Sequence, residues 1–358
     1  MKKRKILFFL MSAVGGAERM TVTFAKQLDR TQYDVCFIIL DYYNDRHIED
    51  FIPKEYRIIH LSCSFGISLK VIWAFYKVLK KERPDIVFSS LISINLRLLL
   101  LAPFFKSIKF LVRNNINLWS PSVSRMQKFA MQKVYSFAKA IIVQTEEMKK
   151  ELSEALHIDD SKIIIIHNPI DTETIQKKLL DYVDFMDGSK TNYVSVCRFV
   201  KGKGLDVLVK AFDIVCKKFP DSVLYIVGKY EETSNYYQNV ISLIDDLNLT
   251  NKIHLVGFTD NPYKYMRNAS CFVLSSRSEG LPNALIEAQY IGTPAAACTC
   301  IPIIGRIVDE GKTGYLAEVE DYKGLAEAMM KASKLGRIKS SYQPTSFEKF
   351  LDILLACQ

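Results

Sequence analysis

Short apolar runs recur along this chain, and the stretches between them carry apolar side chains three and four residues apart. In the first half the runs fall at 5–9, 34–40, 57–61, 85–89, 109–112, 140–144 and 162–167. Several are apolar without interruption, as in the ILFFL that follows Lys5. Uninterrupted apolar strands are buried on both faces, so the pattern predicts parallel strands covered by helices on either side. Helical spacing is clearest at 68–81, 122–137 and 146–156. Asn168-Pro169 closes the series, because a residue before proline is driven to extended backbone. Residues 173–190 are polar and irregular in pattern and are expected to form a linker. A second series then begins, with strands at 193–197, 222–227, 252–256, 271–274, 294–297 and 314–317. Its helices are expected at 205–219, 236–247, 261–267, 282–291 and 322–334.

The expected fold class is therefore α/β, with two Rossmann-like doubly wound domains at 1–172 and 191–340. Residues 341–358 are expected to form a C-terminal helix that packs back on the first domain. Ligands of open α/β sheets bind beyond the carboxyl ends of the strands, so two such domains are expected to face each other across a ligand-holding cleft.

Composition agrees with a packed protein: 49% of the 358 residues are hydrophobic and 24% charged. The eight cysteines, at 36, 63, 197, 216, 271, 298, 300 and 357, form no CxxC pair. Cys298-Thr-Cys300 has no companion cluster at metal-ligand spacing, so buried thiols in a reducing compartment are expected, with no metal site. The opening MKKRKILFFLM imitates a signal peptide, but its apolar run covers only 6–11 and leads directly into Gly15-Gly16 and a helical pattern. A first strand, a glycine turn and a helix account for all of it. No other run has the length needed to span a bilayer, so a cytoplasmic, soluble or peripheral protein is expected.

Charge is placed unevenly. The net charge is +9; residues 1–172 hold 26 Lys and Arg against 17 Asp and Glu, and residues 173–358 hold 22 of each. No acidic residue lies between Asp85 and Glu146, an interval containing Arg97, Lys106, Lys109, Arg125, Lys128 and Lys133 beside Phe104, Phe105 and Trp119. Such a surface serves solubility, or it meets an anionic membrane, where each nearby Lys or Arg contributes about 1 kcal/mol. Nucleic acid is not an expected partner, because no recognised binding motif accompanies the charge.

Three segments carry candidate chemistry. In SEGLPNALIEA (278–288), Glu279 precedes a helix and Glu287 lies inside it. Gly280 permits a tight turn, and Pro282 suits the first helical turn. The backbone N–H groups of the helix start can serve an anion or a sugar oxygen, and the two carboxylates can hold separate hydroxyl sets of one elongated ligand. A capped helix with two incidental acids explains the same spacing. In CRFVKGKG (197–204), Arg198 and Lys203 lie between a strand and a helix, where a guanidinium, an ammonium and a helix dipole can neutralise a diphosphate. A solvated basic turn is the alternative. In GGAER (15–19), Gly15 and Gly16 let backbone approach a phosphate or an acceptor closely, without the GxGxxG pattern of a dinucleotide site.

The order GGAER, CRFVKGKG, SEGLPNALIEA, GTP, DEGKTGYLA covers nearly the whole chain and resembles glycosyltransferase family 4, the retaining enzymes of the GT-B fold. The resemblance implies a nucleoside diphosphate sugar as donor, with UDP favoured, and neither a cofactor nor a metal. By position, Arg198 and Lys203 match the diphosphate-binding pair and Glu287 the acid that holds the ribose. Glu279 matches the acid facing the donor sugar, with the Gly280, Leu281 and Asn283 backbone nearby. Gly15 and Gly16 match the loop that approaches diphosphate and acceptor, and Arg113 and Asn114 are expected on the acceptor side. Retention is expected to proceed by front-face substitution. SEGLPNALIEA and the RNN at 113–115 are most similar to bacterial transferases that add hexoses or N-acetylhexosamines to lipid-linked oligosaccharides. That implies a glycan or polyprenyl-diphosphate-linked acceptor, surface polysaccharide synthesis, and a peripheral place on the inner face of the cytoplasmic membrane.

The chain departs from the family pattern in places. Cys197 replaces a glycine, the Cys300–Arg306 segment replaces a glycine-rich loop ending in Glu, and Ser89, Ser90 and Asn95 stand where a histidine is common. The 335–347 stretch is also short. An epimerase or phosphorylase of the same fold, or a scaffold subunit without turnover, remains open from sequence.

Overall fold

The computed structural model describes residues 3–12, 15–41, 47–62, 69–118, 123–180, 186, 188–342 and 347–356. The chain divides into two compact units, Met1–Pro169 with Pro344–Gln358, and Ile170–Gln343.

The first unit is built on a seven-stranded parallel sheet. Its strands are β1 (Arg4–Met11), β2 (Tyr33–Asp41), β3 (Arg57–Ser62), β4 (Ile86–Ser89), β5 (Lys109–Asn114), β6 (Ala140–Val143) and β7 (Ile163–Ile165), in the order β3-β2-β1-β4-β5-β6-β7. The direction of winding reverses between β1 and β4, the kind of crevice at which ligands of such sheets bind. Alternate residues of β1 serve opposite faces. Ile6, Phe8 and Leu10 pack with the helices Gly16–Lys26 and Glu348–Leu355, and Leu7 and Phe9 with Leu69–Glu82 and Ile92–Leu101. Both faces are thus covered, which is why the strand is apolar without interruption from Ile6 to Met11.

The second unit carries a six-stranded parallel sheet of β8 (Thr191–Val196), β9 (Ser222–Val227), β10 (Ile253–Gly257), β11 (Cys271–Leu274), β12 (Ala295–Cys298) and β13 (Gly314–Ala317). Their order is β10-β9-β8-β11-β12-β13, with the reversal between β8 and β11. Helices Leu205–Lys218 and Tyr322–Ala332 cover one face, and Tyr263–Asn268 and Asn283–Ile291 the other.

Three local features differ from the sequence expectation. The 173–190 stretch is not irregular throughout: it opens with a helix, Thr172–Lys178, whose cap Asp171 accepts from the Thr174 amide at 3.0 Å and whose Ile175 is buried in the second unit. Residues 181–185 and 187 of that stretch lie outside the described residues. The 146–156 helix begins as α over Glu146–Lys150 but widens to a π turn at Glu151–Ala155. The helix Ile92–Leu101 has no counterpart in the expected series, because ISINLRLLLL is too uniformly apolar for a helical period to show.

Among the described residues no helix is long and apolar enough to cross a membrane, and no group of three or more His, Cys, Asp or Glu could hold a metal ion. Cys36, Cys216, Cys271 and Cys298 are buried free thiols, Cys197 and Cys300 are half-buried, and Cys63 and Cys357 lie outside the described residues.

The C-terminal helix belongs to the core of the first unit. Phe350 is fully buried, with its ring centroid 4.7 Å from that of Phe24 and 5.5 Å, edge-on, from that of Phe88. Phe350→Ala is expected to cost the first unit about 3–5 kcal/mol. Urea unfolding followed by circular dichroism measures this, and an unchanged midpoint would show that the helix adds nothing.

Candidate functional site

In the second unit, β8 and β11 lie side by side and both deliver loops at their carboxyl ends. After β8 the Cys197 amide still donates to Val227 O at 2.9 Å, prolonging the ladder by one residue. The chain then makes a short 3-10 turn, Lys201–Lys203, and enters the helix Leu205–Lys218 through Gly204. Gly204 has φ +63°, and a Cβ there would sit 2.1 Å from Ser275 O. Only glycine permits both the left-handed backbone and that approach.

The loop after β11 is fastened to this turn at several points. Ser275 Oγ donates to Lys203 O at 2.9 Å, and the Arg277 and Ser278 amides donate to Gly202 O at 2.8 and 3.3 Å. The result brings Lys203 and Glu279 together: Lys203 Nζ donates to Glu279 Oε1 at 2.6 Å and to Oε2 at 2.8 Å. Ser276 Oγ donates to the same Oε1 at 2.6 Å. The Glu279 side chain is 7% exposed, so this pair is largely shielded from solvent screening.

The other expected residues fall around this centre. Gly280 and Leu281 lead to the helix Asn283–Ile291, on which Asn283 and Glu287, one turn apart, are half-buried. Arg198 is exposed, and among the described residues it forms no ion pair. Burial pushes the Cys197 thiol up to about 11 against the nearby positive charges of Lys203 and Arg198. Burial, then the Glu279 carboxylate, pushes the Cys300 thiol up to about 12, so the segment replacing the family's glycine-rich loop runs close to Glu279. Arg306, at the end of that segment, is exposed.

One side chain that organises this site is not among the residues expected from sequence. Arg277 donates to both carboxylate oxygens of Asp206, at 2.8 and 2.7 Å, to Lys201 O at 2.8 Å, and to both oxygens of Glu320. Tyr236 OH also donates to Asp206, at 2.8 Å, and accepts from the Leu205 amide at 2.8 Å. The guanidinium thereby braces the basic turn, the start of the helix behind it and the Glu279 loop. Its only sequence signal was a cation two residues before Glu279, with Asp206 just past the KGKG turn.

In the first unit the expected residues line the carboxyl edge of the sheet. Ala13 and Val14 lie outside the described residues. Gly15, extended at φ −123° and ψ 172°, caps the helix that Gly16 opens, and the buried Glu18 carboxylate folds back to within 2.5 Å of where a Gly15 Cβ would stand. Arg113 and Asn114, at the end of β5, are fully buried rather than open to the surface. Arg113 Nη2 donates to Asn168 Oδ1, which also accepts from Gln144 Nε2 at 3.2 Å. The Arg113 guanidinium lies 5.9 Å from the Phe24 ring centroid. Burial pulls it down to about 10, which leaves it charged at neutral pH. Asn114 Nδ2 donates to Ile116 O at 2.8 Å. Asn95 accepts from Ser89 Oγ and donates to Arg113 O at 3.0 Å, so two of the residues standing in for the family's histidine brace β5, while the third, Ser90, bonds the Thr21 hydroxyl.

Residues 14–174 match the model of glycosyltransferase family 4, and residues 185–344 that of glycosyl transferases group 1. An uncharacterised glycosyltransferase of Methanocaldococcus jannaschii is 31% identical over 246 residues, 65% of this chain and 60% of that protein's length. The Escherichia coli UDP-Gal:alpha-D-GlcNAc-diphosphoundecaprenol alpha-1,3-galactosyltransferase is 27% identical, over 90% of this chain and 86% of its own. Among solved structures, Anabaena HepE in complex with UDP and glucose superposes with a TM-score of 0.79 at 16% identity, covering 93% of this chain and 92% of the other. That likeness establishes the GT-B fold.

The Arg277 brace has a pH signature. Burial raises Asp206, but Arg277 and then Tyr236 overcome this and hold its carboxyl down at about 2, below the ordinary 3.8. A lowered carboxyl stabilises the folded chain above its ordinary value, and that contribution disappears as pH falls toward 2. Arg277→Ala is expected to cost the second unit about 2 kcal/mol at neutral pH. The difference from the parent should shrink between about pH 4 and pH 2. Urea midpoints across that range test it; a difference independent of pH would exclude the pair as its source.

Proposed function

The chain belongs to the family 4 type of glycosyltransferase, and we propose that it moves a hexose or N-acetylhexosamine from UDP to a lipid-linked glycan with retention at the anomeric carbon. What carries this reading is the Lys203–Glu279 pair, held beyond the carboxyl ends of β8 and β11, where ligands of such sheets bind. The donor's diphosphate competes with Glu279 for the Lys203 ammonium, with Arg198 as a second cation. Once released, the Glu279 carboxylate accepts from the donor sugar's hydroxyls. Glu287 accepts from the ribose, and the backbone of Gly280, Leu281 and Asn283 borders the sugar.

In the transfer step the bond from the anomeric carbon to the β-phosphate oxygen breaks, and its electron pair leaves with UDP. Lys203 and Arg198 neutralise the charge that develops there. The acceptor hydroxyl forms its bond on the same face, and its proton passes to the departing phosphate oxygen. No metal is assigned a part, and turnover is expected to continue in a chelator. The acceptor is assigned to the first unit, at the carboxyl edge that holds Gly15, Gly16, Arg113 and Asn114. The reading is supported by the polyprenyl-diphosphate acceptor in the name of the E. coli relative. The positive charge of residues 1–172 suits an anionic membrane and supports a peripheral position on the cytoplasmic leaflet.

Glu279→Ala is expected to lower transfer by about 100-fold or more while the chain still unfolds cooperatively. UDP should raise the thermal midpoint of the parent more than GDP or ADP does. Full activity in the variant, read by anomeric NMR of the product, would remove Glu279 from the site.

A further inference from the structure

The helices Leu69–Glu82, Ile92–Leu101 and Arg125–Val134 lie beside one another on one face of the seven-stranded sheet, and their buried residues join a single hydrophobic cluster. Their outer faces carry large apolar side chains. Trp73 is 56% exposed, Phe129 62% and Phe104, just beyond the second helix, 75%; Leu69, Leu100 and Met126 are exposed as well. The Trp73 and Tyr76 rings are stacked, 5.3 Å apart and 5° from parallel, and Tyr76 meets Phe105 at 5.4 Å. An aromatic path therefore runs from the first helix to the segment after the second. Single exposed apolar side chains need no explanation, but a group spread over one helical layer marks a surface that meets something.

Charge identifies the partner. Lys77 Nζ stands 5.4 Å from the Trp73 ring centroid, Lys80 5.9 Å from that of Tyr76, and Lys133 5.4 Å from that of Phe129. No acidic residue occurs between Asp85 and Glu146, and Glu82, on the first helix, is buried and paired with Lys5 and Arg57. Aromatic rings that each carry an ammonium, on helices that expose no carboxylate of their own, match the boundary between anionic headgroups and acyl chains. There the ring lies in the apolar layer while the ammonium reaches back to the phosphates.

We propose that this helical layer docks on a bilayer containing anionic phospholipid, with Trp73, Phe104 and Phe129 entering the interface and Lys77, Lys80 and Lys133 contacting the headgroups. The proposal takes from the reading above only that the protein works at a membrane, and adds which residues enter it. The distinction is physical: attraction by charge alone is screened by salt, and apolar insertion is not.

The sequence has two tryptophans, so Trp119→Phe leaves Trp73 as the sole reporter. This full-length variant is mixed with phosphatidylcholine vesicles, with or without phosphatidylglycerol, whose acyl chains carry bromine as a quencher. With phosphatidylglycerol present, Trp73 emission is expected to shift to the blue and be quenched, and part of the protein should still sediment with the vesicles at high salt. Phe104→Ser with Phe129→Ser, added to this background, is expected to reduce the salt-resistant bound fraction by roughly tenfold. Transfer to a water-soluble acceptor should be unaffected. Unquenched Trp73 in vesicle-bound protein overturns the insertion, as does binding that vanishes entirely at high salt or an absence of binding to either vesicle. If transfer is present and quenching absent, the insertion alone fails; if quenching is present and transfer to every acceptor is absent, the proposed reaction alone fails.

Discussion

A backbone contact that leaves no room for a side chain sets the geometry of the second unit. Ser275 O approaches Gly204 so closely that a Cβ would meet it at 2.1 Å. Because the two loops touch at backbone level, the Lys203 carbonyl reaches a serine hydroxyl and Gly202 O collects two amides. The Lys203 ammonium then reaches Glu279 from a backbone that both loops fix. An ion pair on two long, free side chains is worth little, because ordering them offsets the attraction. Here the backbone is fixed beneath both residues and Glu279 is buried and held by Ser276, so a charged ligand that displaces Glu279 from Lys203 meets a cation close at hand.

The fold was largely legible because a parallel sheet covered on both faces writes itself as uninterrupted apolar runs. β9, β11 and β13 lie where the pattern placed them, and β1 and β2 extend it by a residue or two at either end. What escaped was whatever lacked contrast. Ile92–Leu101 is apolar around most of its circumference, and Thr172–Lys178 is short and mostly polar, so neither shows a face in sequence. In the site, residue types and their order were legible, since a turn between strand and helix must carry its glycines and cations in sequence. Contacts were not. Arg277 gathers Lys201, Asp206 and Glu320, partners up to 76 positions away, and no local pattern encodes that convergence.

Arg113 shows the limit from the other side. Its sequence position suggested a residue in contact with ligand, yet its side chain is wholly buried beneath the helix that Gly15 caps. Among the described residues no carboxylate pairs with it. A buried charge without a counter-ion is costly, and polar neighbours reduce the cost without cancelling the charge. Asn168, Gln144 and the Phe24 ring supply such neighbours, so a positive potential persists at the carboxyl edge of the first sheet whether or not the guanidinium itself touches a ligand.

The two halves of the sequence divide their charge in a way that local chemistry explains. Residues 173–358 are neutral overall, although the ligand proposed for the second unit is an anion. A small anion is held by the few groups it touches, and beyond a Debye length of about 8 Å the remaining charges are screened at physiological salt. Under that proposal Lys203 and Arg198 would suffice, and a global excess would add little. An extended anionic surface differs, because it presents charge to every part of a facing layer at once. Only an unbalanced composition across many residues meets it, and the excess of +9 is confined to residues 1–172, with the acid-free interval running through the layer that exposes Trp73, Phe104 and Phe129.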